Sequence, residues 1–333
     1  IAGDPRENRA FYTGVLGLRF VLRTVNFEDR FVYHLYYGDE RGSPGTVLTF
    51  FPYPHEVAGR AGKPGIESVA LRVPERALDA WTDRLSARGV EYEGPVDRFG
   101  EPILSLTDPD GTRIDLVGVE GAAGDALGGE GGSDGTPDGP AGFEPPTDSP
   151  VPPSEAVRGV GGVAVRSASP YATAALLETF GFEHVAETAD RVRYRLSGGR
   201  ESTVDLLVDD APYGREGRGS VHHVAFSVGG VAELREWRTL LAERDYDVSR
   251  VKDRHLFYSL YVRDPGGVLF ELATESPGLG VADREPDPAG ELWLPPSLEP
   301  DREMIGSQLP PLDGPPADGS VADEAGRTRG DEE

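Results

Sequence analysis

"VRDPGGVLFELAT", residues 262–274, repeats a pattern met earlier as "LTDPDGTRIDLVG", residues 106–118. The offset is 156, and it pairs Asp108 with Asp264 and Asp115 with Glu271. The same offset aligns "ALDAWTDRLSARGV" with "ELREWRTLLAERDY", setting Trp81 against Trp237, Leu85 against Leu241 and Arg88 against Arg244. Self-similarity of this kind marks a duplicated structural unit.

Each copy reads as strand, amphipathic helix and further strands. In the second copy these are the strand "VHHVAFSV", the helix "VAELREWRTLLAERDY", the strand "LYVRDP", a turn at Pro265 to Gly267, and the strand "VLFELAT". A looser repeat precedes each unit. "NRAFYTGVLGLRFV" and "ATAALLETFGFEHV" both read as helices stopped by glycine, at Gly17 and Gly181, that lead into strands. The expected fold is α+β: four βαβββ modules, two in each half of the chain. The first strand of the first module is missing, because Ile1 corresponds to the end of that strand.

Four segments follow. Residues 1–119 form the N-terminal half with modules one and two, and residues 158–276 the C-terminal half with modules three and four and the metal site. Between them, residues 120–157 hold eight acidic residues and no basic ones in a background of Gly, Pro, Ala, Ser and Thr, which predicts a disordered linker. Residues 277–333 form an extension in which Leu292, Trp293 and Leu294 pack on the body, and disorder is expected beyond about residue 310.

The chain has 333 residues, 38% of them hydrophobic, enough to bury a substantial core. Its 58 acidic and 33 basic residues leave a net charge of −25, and only Lys63 and Lys252 are lysines. Such a surface reads either as adaptation to high salt or as that of a generally acidic soluble protein from a GC-rich genome, and it would repel nucleic acid and anionic membranes. With no cysteine, disulfides and thiolate chemistry are excluded, so any metal is held by nitrogen and oxygen. No apolar run is long enough to span a membrane, and the opening residues do not read as a signal peptide, so a cytoplasmic location is expected.

Alternation in "SVHHVAFSV" puts Val221, His223, Ala225 and Ser227 on one face and His222, Val224, Phe226 and Val228 on the other. In "VLFELAT" it puts Glu271 between Leu269 and Ala273. A carboxylate inside an apolar strand is costly to bury unless paired or bound to a cation. His223 offers the partner; with one further histidine the pair would complete the two-histidine, one-carboxylate set that leaves positions open on Fe(II). Taken singly, a strand histidine is more often a satisfied core or edge residue, and a strand glutamate more often faces solvent. The equivalent positions in module two are Ser68 and Asp115, and serine is a poor ligand.

Several long segments in order, "FYTGVLGLRFVLRTVNFEDRFVYHLYYGDERGSPGTVLTFFPYP", "GSVHHVAFSV", "DPGGVLFELAT" and "LWLPPSLEP", closely resemble the ring-cleaving extradiol dioxygenases of the vicinal oxygen chelate superfamily, above all the hydroquinone-type branch. The resemblance spans both halves but not the linker or the extreme tail. It implies paired βαβββ modules curled into cup-shaped mixed sheets, one of which holds Fe(II), with Mn(II) accepted by the same donors. It also implies metal ligands at His223 and Glu271. The third ligand of the family, a histidine on the first strand, has no counterpart here, which predicts weak metal binding and little activity for this chain. By the same resemblance His222 acts as an acid, base or hydrogen-bonding residue, Arg254 stabilises developing oxyanion charge, and Tyr261 bonds the substrate hydroxyl or bound oxygen.

The implied reaction inserts both atoms of O₂ into a hydroquinone- or catechol-type ring, with a small aromatic and O₂ as the partners. Exposed module edges allow a homodimer. Two alternatives keep the fold: a glyoxalase-like isomerase or lyase, and a metal-free small-molecule binding protein. His34, His55, His184 and His255 read as structural or exposed, with His255 the best placed of them for the pocket mouth.

Overall fold

The computed structural model describes residues 1–120, 143–197, 201–279 and 290–314. Module one comprises α1 (Pro5–Arg9), a π-helical turn (Ala10–Val15), β1 (Arg19–Asn26), β2 (Asp29–Gly38) and β3 (Leu48–Phe50). Module two comprises β4 (Gly65–Pro74), α2 (Leu78–Ala87), β5 (Tyr92–Arg98), β6 (Glu101–Thr107) and β7 (Arg113–Val119). Module three comprises β8 (Gly159–Arg166), α3 (Pro170–Thr179), β9 (Glu183–Glu187), β10 (Arg191–Leu196) and β11 (Ser202–Leu207). Module four comprises β12 (Val224–Val228), α4 (Val231–Glu243), β13 (Asp247–Val248), β14 (Lys252–Asp253), β15 (Tyr258–Arg263) and β16 (Leu269–Thr274), and α5 (Arg302–Gln308) lies in the extension.

The two helices that run up to a glycine end as their sequences predict. Gly17 and Gly181 have φ of +70° and +93°, a left-handed conformation that costs glycine little. The repeated aspartates brace repeated turns. Asp108 accepts the Thr112 amide at 2.8 Å, and Asp264 accepts the Val268 amide at 2.6 Å. Each also ties its turn to the helix of a neighbouring module, Asp108 through the Tyr12 hydroxyl at 3.0 Å and Asp264 through the Thr173 hydroxyl.

Among the described residues the two larger apolar cores follow the two halves of the chain. One gathers Phe11, Leu16, Leu71, Trp81, Leu85 and Leu116; the other gathers Leu176, Phe182, Leu234, Leu241, Leu260 and Phe270. The sheets ignore that division. One eight-stranded sheet runs β5-β6-β7-β4-β8-β11-β10-β9, with β4 and β8 antiparallel and registered from Gly65 opposite Arg166 to Arg72 opposite Gly159. Module two is therefore continuous with module three. Module one contributes the three-stranded sheet β1-β2-β3 and module four the five-stranded sheet containing β12, β16, β15 and β13. These two sheets flank a single cavity.

His223 and Glu271 both lie within 158–276, and the cavity beside them is lined by module one as well. The acidic segment is not a free linker throughout. Residues 121–142 lie outside the described residues, but 143–157 pack on the first half, with Val151, Ala156 and Val157 buried. The indole of Trp81 donates to the Glu155 carbonyl at 3.0 Å, Glu40 donates its amide to the Glu144 carbonyl at 2.8 Å, and Ser149 Oγ donates to the Gly17 carbonyl at 2.8 Å. A few valines and a set of backbone partners are enough to order what composition alone reads as unstructured.

The extension packs as expected, with Leu294 and Ile305 inside the first core and the Trp293 amide on the Arg23 carbonyl at 2.8 Å. Leu312 is still buried, and the tail from 315 onward lies outside the described residues. No helix among the described residues is long and apolar enough to cross a membrane.

Candidate metal centre

Alternation along β16 and β15 sorts the site from the core. Phe270, Leu272, Leu260 and Val262 turn inward and are buried in the second core, whereas Glu271, Tyr261 and Ser259 share the opposite face. In the ladder, Glu271 sits between Ala225 of β12 and Tyr261 of β15. His223 immediately precedes β12, on the same face as Ala225, and its Nε2 lies 2.7 Å from Glu271 Oε2.

Glu271 is almost fully buried, its side chain only 4% exposed. Burial alone would push its carboxyl up. The hydrogen bond and charge of His223, with hydrogen bonds from Ser259 and Tyr261, outweigh that and hold it below the ordinary carboxylate range. The site is therefore charged, and its carboxylate is oriented from three sides.

Tyr261 packs edge-on to the His223 ring at 5.6 Å between centroids. Burial, then the Glu271 charge, pushes the phenol up to about 12 against the lowering effect of Arg254, so it keeps its proton at neutral pH. Arg254 Nη2 donates to Tyr261 Oη at 3.2 Å, and its guanidinium lies 5.3 Å from the centroid of the Tyr261 ring. Glu28, at the turn between β1 and β2, holds both Arg254 Nη1 at 3.1 Å and Lys252 Nζ at 2.7 Å. Module one thus positions a cation of module four.

His222 departs from the expected strand pattern. The strand begins only at Val224, so His222 escapes the alternation that would have sent it to the core side. Its side chain is 42% exposed, its Nδ1 is 2.8 Å from His223 Nδ1, and its Nε2 is 3.9 Å from Glu216. Burial, then the neighbouring His223, lowers its pKa. The structure thus brings His222, His223, Arg254, Tyr261 and Glu271 to one wall of an open cavity of about 2570 Å³.

The opposite wall holds a residue that the sequence reading set aside. His34 lines this cavity with Tyr36, both on β2, while Tyr33, Leu35 and Tyr37 on alternate positions enter the first core. The signal was legible in "FVYHLYYG" as a polar pair, His34 and Tyr36, on one face of a strand whose other face is apolar. His255 is exposed and rests edge-on against Phe27 at 5.1 Å, beside the cavity but outside its lining. His55 and His184 are exposed, as expected.

In the eight-stranded sheet the same geometry holds different chemistry. Asp115, equivalent to Glu271, is bonded by Ser68 at 3.0 Å, by Ser105 and by Arg98 at 2.8 Å. A guanidinium and two hydroxyls satisfy it, and no imidazole is present.

Among the described residues no group of three or more His, Asp or Glu side chains gathers with metal-binding geometry. The donors present are one imidazole nitrogen and one carboxylate oxygen, converging on the same point of a cavity wall. They fit a divalent first-row ion as two of its protein ligands.

The chain belongs to the glyoxalase/bleomycin resistance protein/dioxygenase superfamily, whose family model matches residues 1–116 and 163–272. It is 36% identical over 314 residues to the "Putative ring-cleaving dioxygenase MhqO" of Bacillus subtilis, with 94% of each chain covered. It is 32% identical over 297 residues to the chlorohydroquinone/hydroquinone 1,2-dioxygenase of Sphingobium indicum, with 85% of each covered. Its fold is similar to the crystal structure of a "putative dioxygenase" from Bacillus subtilis, at a TM-score of 0.82, 36% identity and 94% coverage of both chains. The paired modules and curled mixed sheets are thus those of the vicinal oxygen chelate fold.

Proposed function

We propose that this protein is a metal-dependent dioxygenase that opens the ring of a hydroquinone- or catechol-type aromatic, with Fe(II) as the metal. The observation that carries the reading is the approach of His223 Nε2 to Glu271 Oε2 at 2.7 Å, beside a protonated Tyr261 and a cationic Arg254 in one cavity. Relatives named as ring-cleaving and hydroquinone dioxygenases support it.

His223 and Glu271 would hold the metal, which when bound supplies acidification of a ring hydroxyl and a route for electrons to O₂. The chain's own groups do the rest. If Nε2 held the metal, the ring proton of His223 would sit on Nδ1, 2.8 Å from His222 Nδ1, and a hydrogen bond there would fix the ring's tautomer and orientation. Tyr261 holds a proton at Oη, ready to donate to a substrate or product oxygen. Arg254 places positive charge next to that oxygen and steadies the negative charge that develops there.

Oxygen uptake tests the reading. Protein loaded with Fe(II) without air should consume O₂ when given hydroquinone, methylhydroquinone or catechol, and yield a ring-opened product carrying both atoms of labelled O₂. In protein that metal analysis shows to carry Fe(II), absence of uptake with every dihydroxybenzene would sink it.

A further inference from the structure

We propose that His34 of module one is a specificity-determining residue, whose Nε2–H donates a hydrogen bond to the substrate oxygen remote from the metal-bound one, as in a 1,4-dihydroxybenzene. The inference rests on the ring-cleaving reading of this cavity.

The His34 ring is held by Tyr36 and Phe51. Its Nδ1 is 2.9 Å from Tyr36 Oη. The rings of Tyr36 and Phe51 each lie with centroids 4.2 Å from its own, at 41° and 31°. The Tyr36 phenol is raised well above its ordinary value, first by burial and then by the Glu271 charge, so it keeps its proton. His34 Nδ1 is the partner of that hydroxyl among the described residues, so the hydroxyl donates and Nδ1 accepts. The imidazole proton is then on Nε2.

That Nε2 is buried and has no hydrogen-bond partner among the described residues. A buried donor without an acceptor is costly, and such a group in a native structure calls for an explanation. Burial, with the charges of His223 and Arg254, keeps the ring neutral. It therefore offers one directed N–H rather than a cation. Because His34 and Tyr36 line the same cavity as His223 and Glu271, an aromatic ring bound there that displaces the side chains covering Nε2 brings an oxygen to this donor. A ligand oxygen satisfies the orphan group, and a ligand without one leaves it unsatisfied. Sites built this way discriminate against analogues that lack the matching polar group.

Anaerobic calorimetry on the metal-loaded full chain compares hydroquinone with 4-methylphenol, which replaces the remote hydroxyl by a methyl group. The parent protein should bind hydroquinone at least about tenfold more tightly. His34→Phe should abolish that preference by weakening hydroquinone binding about tenfold, with 4-methylphenol affinity unchanged within about twofold. His34→Gln, which can present an amide N–H, should recover part of it. Equal weakening of both ligands, or no change for either, overturns the inference. A readout on the unsubstituted chain guards against a misfolded variant: imidazole ¹⁵N resonances should show His34 as the neutral Nε2–H tautomer and shift with hydroquinone but not 4-methylphenol. A shift common to both ligands counts against it. A parent protein that binds hydroquinone and 4-methylphenol equally overturns the role of His34 alone, whereas one that binds neither removes the ring-cleaving reading as well.

Discussion

His223 and Glu271 meet at 2.7 Å although they are not lateral partners in the sheet; the residue opposite Glu271 on β12 is Ala225. The imidazole reaches diagonally, two residues along the same face, over a side chain small enough to let it pass. Removing either group should therefore remove metal retention. Glu271→Gln keeps the shape but loses the charge, and His223→Ala loses the nitrogen. Each is expected to cut divalent-ion affinity by at least about tenfold, the lower end of what even outer partners of a metal ligand contribute. Equilibrium dialysis followed by metal analysis checks it.

The acid limb of stability should report Asp115. Burial would push this carboxyl up, but hydrogen bonds from Ser105 and Arg98 and the charge of Arg98 hold it below its ordinary value of 3.8. A depressed folded pKa contributes stability that is present above the unfolded value and is lost as pH falls through the folded one. Asp115→Asn is expected to cost about 3 kcal/mol at pH 7, because it strands Arg98. The difference from the parent should shrink below pH 3.8, which urea denaturation across the acid range measures.

The helix repeat places Leu85 and Leu241 at equivalent sites, and both are fully buried. Leu85→Ala and Leu241→Ala should each cost about 2–5 kcal/mol by removing a buried side chain and leaving a cavity. Because the two leucines lie in different cores, their effects should add. A double variant in urea denaturation tests the additivity.

Residues 143–157 should loosen when their anchor goes. Trp81→Phe keeps most of the packing but deletes the indole bond to the Glu155 carbonyl. The expected stability loss is about 1 kcal/mol. Hydrogen exchange should rise within 143–157 and stay unchanged in module three. Exchange that rises uniformly across the chain would argue that the segment is not a separate docked element.

Much of the local structure was legible because it depends on neighbours in sequence. Alternation assigned Phe270 and Leu272 to one face and Glu271 to the other, and the glycines at 17 and 181 end helices because only a left-handed residue fits there. For His222 the pattern gives no direction: alternation applies only inside a strand, and β12 starts two residues after it. For His34 the local signal, a polar pair with Tyr36 on one face of β2, fits an exposed sheet face as well as a cavity wall.

The duplicated modules and their order were determined by sequence alone, since periodicity and repeat offset are properties of the chain itself. Tertiary structure alone decided which modules share a sheet. Antiparallel pairing of β4 with β8 joins module two to module three, and so turns module one toward module four and brings His34, Tyr36 and Glu28 to a site whose other residues lie some two hundred positions away. Strand pairing is a contest between edges of similar backbone chemistry, settled by how two cores and all their connections pack at once, and no window of sequence contains that information.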